Sequence, residues 1–174
     1  SGTDTAGIFV SESEDVEIIN VKFIDNAVAL KTVESQDLTL TNLTFDVEDF
    51  GVYSSSSSGL VIIDSSFRNS SSNNACIYQI SSDNNGGAQI IGNTFNDCFA
   101  GWRSETSNNV FRDNTLKDNT YGVVLTGTES YNNFISNNNI DDSDYGIYIY
   151  DAAHDNNLFN NIIDDSEEFD IRLS

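Results

Sequence analysis

One motif recurs along the whole chain at an interval too long for a hairpin. It reads aromatic or small residue, glycine, apolar, any, apolar. Its clearest copies are Ala6-Gly7-Ile8-Phe9-Val10, Phe50-Gly51-Val52, Ala100-Gly101-Trp102, Tyr121-Gly122-Val123-Val124-Leu125 and Tyr145-Gly146-Ile147-Tyr148-Ile149. Degenerate copies are Asn26-Ala27-Val28-Ala29-Leu30, Ala75-Cys76-Ile77 and Phe169-Asp170-Ile171-Arg172-Leu173. With the glycine position as anchor, at 7, 27, 51, 76, 101, 122, 146 and 170, the period runs from 20 to 25 residues. Self-similarity at such a period is the mark of a stacked repeat, in which each unit buries its apolar face only against its neighbours.

A second anchor keeps step with the first. A large apolar residue follows an Asn or Asp by three places: Phe23 after Asn20, Phe45 after Asn42, Phe67 after Asp64, Leu116 after Asp113, Ile140 after Asn137 and Ile163 after Asn160. Phe95 departs from the pattern, with Gly92 in that place. Between the anchors lies an apolar pair (Val16/Ile18, Leu38/Leu40, Leu60/Ile62, Ala88/Ile90), of which the last three coils keep only Phe111, Ile135 and Leu158. Each repeat therefore predicts three short strands of alternating pattern separated by Asn, Gly, Ser and Asp turns. No helical spacing is sustained. The expected fold is all-β, a parallel β-helix of about seven coils. It forms one domain over residues 1–174, which is expected to belong to a longer or polymeric assembly. Asn20, Asn42, Asp64, Asp113, Asn137 and Asn160 are expected to form a structural ladder, because such residues tolerate left-handed backbone angles and their side chains can bond the copies above and below.

These residues resemble the parallel β-helix repeat family, and within it the NosD-like group. The resemblance is closest from Tyr121 to Ile140 and from Tyr145 to Asn161, and it covers nearly the whole chain. It implies a right-handed, pectin-lyase-like helix. It does not fix activity, since the family spans polysaccharide lyases, hydrolases and epimerases, viral tail spikes, surface proteins and a copper-maturation factor.

Charge narrows the partners. The chain carries 28 acids against 7 bases, a formal net charge of −21. Such a surface repels phosphate backbones and anionic membranes, so nucleic acid is excluded as a partner. No apolar run is long enough for membrane insertion. The acidic coat fits an extracellular, salt-rich or calcium-bearing setting.

Few constellations carry chemistry. Asp141-Asp142 and Asp164-Asp165 are adjacent acid pairs one coil apart; they read as a solvated edge, or as a calcium site, the one cofactor expected. The motif sets of polygalacturonases and pectate lyases are absent, so no catalytic residue is assigned and a non-enzymatic role is expected. Copper handling, implied by the NosD resemblance, lacks ligands: there is no Met, one histidine (His154) and two cysteines. Cys76 and Cys98 lie one coil apart, within reach of a disulfide bond although their register is not ideal. Of two glycosylation sequons, Asn69 in a Ser-rich turn is the better acceptor and Asn42 belongs to the ladder.

The outward positions are the informative ones. Residues two and four past the glycine anchor should face solvent, and they include Phe9, Tyr53, Tyr78, Ile80, Arg103, Val124, Tyr148, Tyr150 and Arg172. In another strand Ile19, Ile63, Ile91, Phe134 and Phe159 also point outward. Phe9, Tyr53, Tyr78, Arg103, Tyr148 and Tyr150 are the candidate binding surface, for glycans or for a neighbouring subunit. With neither end capped in the sequence, the leading expectation is a cell-surface structural or adhesive module that assembles with itself head to tail or packs laterally against neighbouring surface proteins. The alternative is a carbohydrate-binding or polysaccharide-cleaving module.

Overall fold

A computed structural model of the chain describes residues 6–68, 70, 73–81 and 86–174. Every strand pairing is parallel, and each strand pairs with its counterpart one coil away. The result is a parallel β-helix with three flat faces. The first face stacks seven three-residue strands, from Glu17–Ile19 through Thr39–Thr41, Val61–Ile63, Gln89–Ile91, Val110–Arg112 and Phe134–Ser136 to Asn157–Phe159. The second face carries the Phe, Leu or Ile anchor, as in Thr94–Asn96 and Thr115–Lys117. The third carries the glycine motif in longer strands, such as Ala75–Ile80, Ala100–Glu105 and Tyr145–Tyr150. In the first and second coils the second and third strands run together as the twelve-residue strands Lys22–Val33 and Thr44–Ser55.

Each inward position faces its own copy one coil away. Phe23, Phe45, Phe67 and Phe95 stack with ring centroids 5.0, 4.4 and 5.0 Å apart, and Leu116, Ile140 and Ile163 continue the column. The first face contributes Ile18, Leu40, Ile62, Ile90, Phe111, Ile135 and Leu158. Removing one such side chain from water is worth about 1.5–3 kcal/mol, and seven coils repeat it.

Glycine recurs because the chain bends inward there against the next coil. A Cβ on Gly122 would lie 2.5 Å from the carbonyl oxygen of Gly146 and 2.9 Å from Ile140; one on Gly146 would run into the Ile163 side chain. The same column holds Gly7, Ala29, Gly51 and Cys76, so the second anchor is Ala29 rather than Ala27. The correction has a physical cause. A shift of two residues leaves the in–out alternation intact, so hydrophobic pattern cannot detect it, and the irregularities between Ile24 and Val28 lie beside the misplaced anchor but restore the register by Val28.

Ser54, Gln79 and Ser104 stand at inward positions despite their polarity, and all are buried. They share a column with Thr32. Gln79 accepts a hydrogen bond from the indole of Trp102 at 2.8 Å, and Ser104 bonds the hydroxyl of Thr106 at 3.0 Å, so these groups meet partners inside the barrel.

Candidate functional site

The third face presents one outward column along its whole length: Phe9, Lys31, Tyr53, Tyr78, Arg103, Val124, Tyr148 and Arg172 stand in register. Successive coils lie about 4.8 Å apart, so rings and guanidinium planes come into stacking contact. The Lys31 ammonium lies 5.8 Å from the ring centre of Phe9 and 5.7 Å from that of Tyr53. Arg103 lies 5.0 Å over Tyr78, and Arg172 lies 5.1 Å over Tyr148 and 5.5 Å over Phe169. Each such contact contributes roughly 0.5–1 kcal/mol at an exposed site. Tyr150 belongs to the neighbouring outward column and stacks on Tyr148 at 4.5 Å.

The sequence reading missed Lys31, Tyr121 and Tyr145. Lys31 was displaced by the two-residue error in the second anchor. Tyr121 and Tyr145 read as parts of the glycine motif, yet their rings stack on each other at 4.8 Å and pack beside Tyr148 on the outer surface. Glu105 was missed too. Its Oε1 accepts bonds from the Tyr78 hydroxyl at 2.7 Å and from Arg103 Nη2 at 3.1 Å. Burial, followed by that bond to Glu105, pushes the Tyr78 phenol well above its ordinary range. Tyr78 is therefore a donor and not a base at neutral pH. Tyr121 is also pushed up, first by burial and then by the neighbouring tyrosines.

The column is interrupted once. Ala75, Ala100 and Val124 form a buried apolar floor on which Tyr78, Tyr121 and Tyr150 pack. Above it lies a notch of about 270 Å³, walled by Tyr121, Tyr148 and Tyr150 and bordered by Phe99 and Arg103. The disulfide runs beneath it: Cys76 follows Ala75, Cys98 precedes Phe99, and the two sulfurs are bonded with Cα atoms 5.9 Å apart.

Local charge on this face opposes the net charge of the chain. Its two outward columns hold Lys31, Arg103 and Arg172 against Glu105. Elsewhere Arg68 pairs with Asp46, Arg112 with Asp113, and Lys117 with Asp142 at 3.0 Å and Asp141 at 3.4 Å.

The other expected sites fall elsewhere. Asn20, Asn42, Asp64, Asp113, Asn137 and Asn160 all have positive φ, between 50° and 58°. Of their side chains, Asn42 bonds Asn20 at 2.6 Å. The longer amide ladder is one residue further on, where Asn93, Asn114, Asn138 and Asn161 bond in series. Asp141, Asp142 and Asp165 bring their carboxylates within 4.8 Å of one another at the exposed turn where Lys117 sits, with Asp164 in register beside Asp141. Asn69 lies outside the described residues. Among those described, no helix is long and apolar enough to cross a membrane.

Comparison with known proteins bears on the fold. The periplasmic alginate epimerase AlgG superposes with a TM-score of 0.60 at 18% identity, covering 97% of this chain and 47% of that one. A point mutant of the same enzyme gives 0.60 at 17%, with the same coverage. The chain thus spans about half the length of these structures. No curated protein sequence matches it. Residues 6–163 match the family described as the right handed beta helix region, and the chain belongs to that family.

Proposed function

We propose that this chain is a polysaccharide-acting module that holds a glycan along the third face, parallel to the solenoid axis. The observation that carries the reading is the register of rings and cations from Phe9 to Arg172, broken only at Val124. Aromatic rings offer flat apolar faces to the C–H surfaces of pyranose rings, and arginine and lysine donate to sugar hydroxyls. A ladder that repeats at every coil suits a ligand that repeats too. The similarity to an alginate epimerase, an enzyme acting on a polysaccharide, is consistent with this use of the scaffold. The leading expectation from sequence, a non-enzymatic adhesive subunit, draws no support from that neighbour. We also place the chain outside the cytoplasm: a disulfide persists in an oxidising compartment, and the similar epimerase is periplasmic.

Affinity electrophoresis through gels containing neutral or acidic polysaccharides tests the reading. Retardation by at least one glycan, reduced about tenfold or more in Tyr78→Ala and Tyr148→Ala while far-UV circular dichroism stays unchanged, is the expected result. Equal retardation of the variants and the parent would remove the ladder from consideration.

A further inference from the structure

The notch over Ala75, Ala100 and Val124 differs in kind from the ladder around it. Stacking surfaces project outward, whereas here the outward side chains shrink to methyl-bearing residues over two coils, and tyrosines close the space on one side. A uniform glycan would need no such gap. The volume, about 270 Å³, falls just under the roughly 300 Å³ at which pockets begin to enclose drug-sized ligands. It takes one sugar ring with a substituent, not an oligomer.

The lining narrows the substituent. The floor is apolar and buried, so it favours a methyl group over a hydroxyl. Arg103 borders the notch with a side chain that is 34% exposed, and of its guanidinium nitrogens Nη2 bonds Glu105 while Nε is sealed from solvent. A guanidinium on the rim of an apolar notch offers N–H donors, which call for a ligand acceptor. A carboxylate is the weaker candidate, because Glu105 already engages Arg103 Nη2 at 3.1 Å and would face a second anion. A neutral carbonyl oxygen joined to a methyl group meets both requirements.

We infer that the notch is a subsite for an acetyl-bearing sugar residue, its methyl on the Ala75–Ala100–Val124 floor and its carbonyl oxygen accepting from Arg103. This rests on the glycan reading of the ladder. The occupied notch sets the register of the bound chain, since a plain residue slides along the ladder at little cost and an acetylated one does not.

The test compares two neutral ligands that differ only in the acyl group: O-acetylated glucomannan oligosaccharides and the same preparation after mild alkaline deacetylation. Calorimetric titration should show the acetylated form binding about tenfold or more tightly. Ala100→Leu, which fills the floor, should abolish the preference. Equal affinity of the parent protein for both forms overturns the subsite and leaves the ladder standing. No binding of either form, with none to other glycans, overturns the ladder reading and the subsite together. Since the first comparison uses the unmodified chain, the inference stays open to refutation even if the leucine variant fails to fold.

Discussion

The first four coils and the last three solve the same packing problem with different chemistry. Where the first face begins, the inward column is Val16, Leu38, Leu60 and Ala88, then Asn109, Asn133 and Asn156. At the corner between the first and second faces it is Val21 and Leu43, then Ser65, then Asn93, Asn114, Asn138 and Asn161. In the early coils turn backbone is met by hydroxyls: Ser35 Oγ accepts from Ser13 N, Ser57 Oγ from Ser35 N, and Ser65 Oγ from Leu43 N, at 3.0–3.3 Å. In the late coils one asparagine does more. Asn138 Oδ1 accepts from both the backbone and the side chain of Asn114, while its own Nδ2 donates to the Phe111 carbonyl, each at 3.0 Å. A buried leucine contributes through area; a buried asparagine contributes by closing a network that would otherwise leave several groups unmet.

The largest effect expected follows from that difference. Asn138→Leu keeps the volume but strands two donors on Asn114 and the Phe111 carbonyl. At roughly 1–3 kcal/mol for each unmet group, the loss should reach about 4 kcal/mol, and the thermal midpoint should fall by on the order of 10 °C. Leu43→Met, an apolar exchange in the same column two coils from the amides, should cost under about 1.5 kcal/mol. Similar midpoints for the two variants in calorimetry would mean that the amide column is ordinary filling.

Next comes the disulfide, which lies where phenylalanine stacking gives way to amides. Cys76 and Cys98 are separated by 22 residues, so the loop-entropy relation gives about 3 kcal/mol. The paired variant Cys76→Ala with Cys98→Ala should lose about that much in denaturant unfolding, with the slope increased because the unfolded chain expands. A loss below about 1 kcal/mol would show that the coils on either side hold one another without the bond.

The ring stack is weaker. Phe45 lies 5.0 Å from Phe23 and 4.4 Å from Phe67, nearly parallel to both. Phe45→Leu should cost about 1–2 kcal/mol: 0.5–1.5 kcal/mol for stacking plus imperfect filling. Ile140→Leu, in the aliphatic part of the same column, should cost less. Equal losses would make the stack a matter of volume alone.

Legibility followed the strength of each physical constraint. The fold could be read because alternation, turn residues and period all point to one answer, and at Gly51, Gly101, Gly122 and Gly146 a Cβ would run into the neighbouring coil. The buried amides could not be placed to the residue. In runs such as Asn137-Asn138-Asn139 the first takes the left-handed turn at φ 56°, the second is buried and the third is exposed, yet all three are the same letter. The ladder on the third face was legible wherever its anchor was, which is why Lys31 was lost with Ala29. The notch was invisible for another reason: it is made by small residues at Ala75 and Ala100, and what defines it is the wall of Tyr121, Tyr148 and Tyr150 beside them.

The smallest expected effect is a titration that separates the two halves of that face. Tyr78 lies on the early side of the notch, and its phenol is raised by burial and by the bond to Glu105; Tyr121, on the late side, is raised by burial and by its tyrosine neighbours. In both cases the folded state holds its proton longer than the unfolded chain, which ionises near the ordinary value of about 10. Below that pH neither group makes stability depend on pH. Above it the unfolded chain releases its proton first, so stability falls as pH climbs toward the folded value. Denaturant midpoints measured from neutral pH upward should therefore be flat and then decline beyond about pH 10. Tyr78→Phe should shallow that decline more than Tyr121→Phe, because an ionised Tyr78 would face the Glu105 carboxylate across 2.7 Å whereas Tyr121 would face neutral rings. A reversed order would mean that the crowd of tyrosines, and not the carboxylate, governs how this face meets alkali.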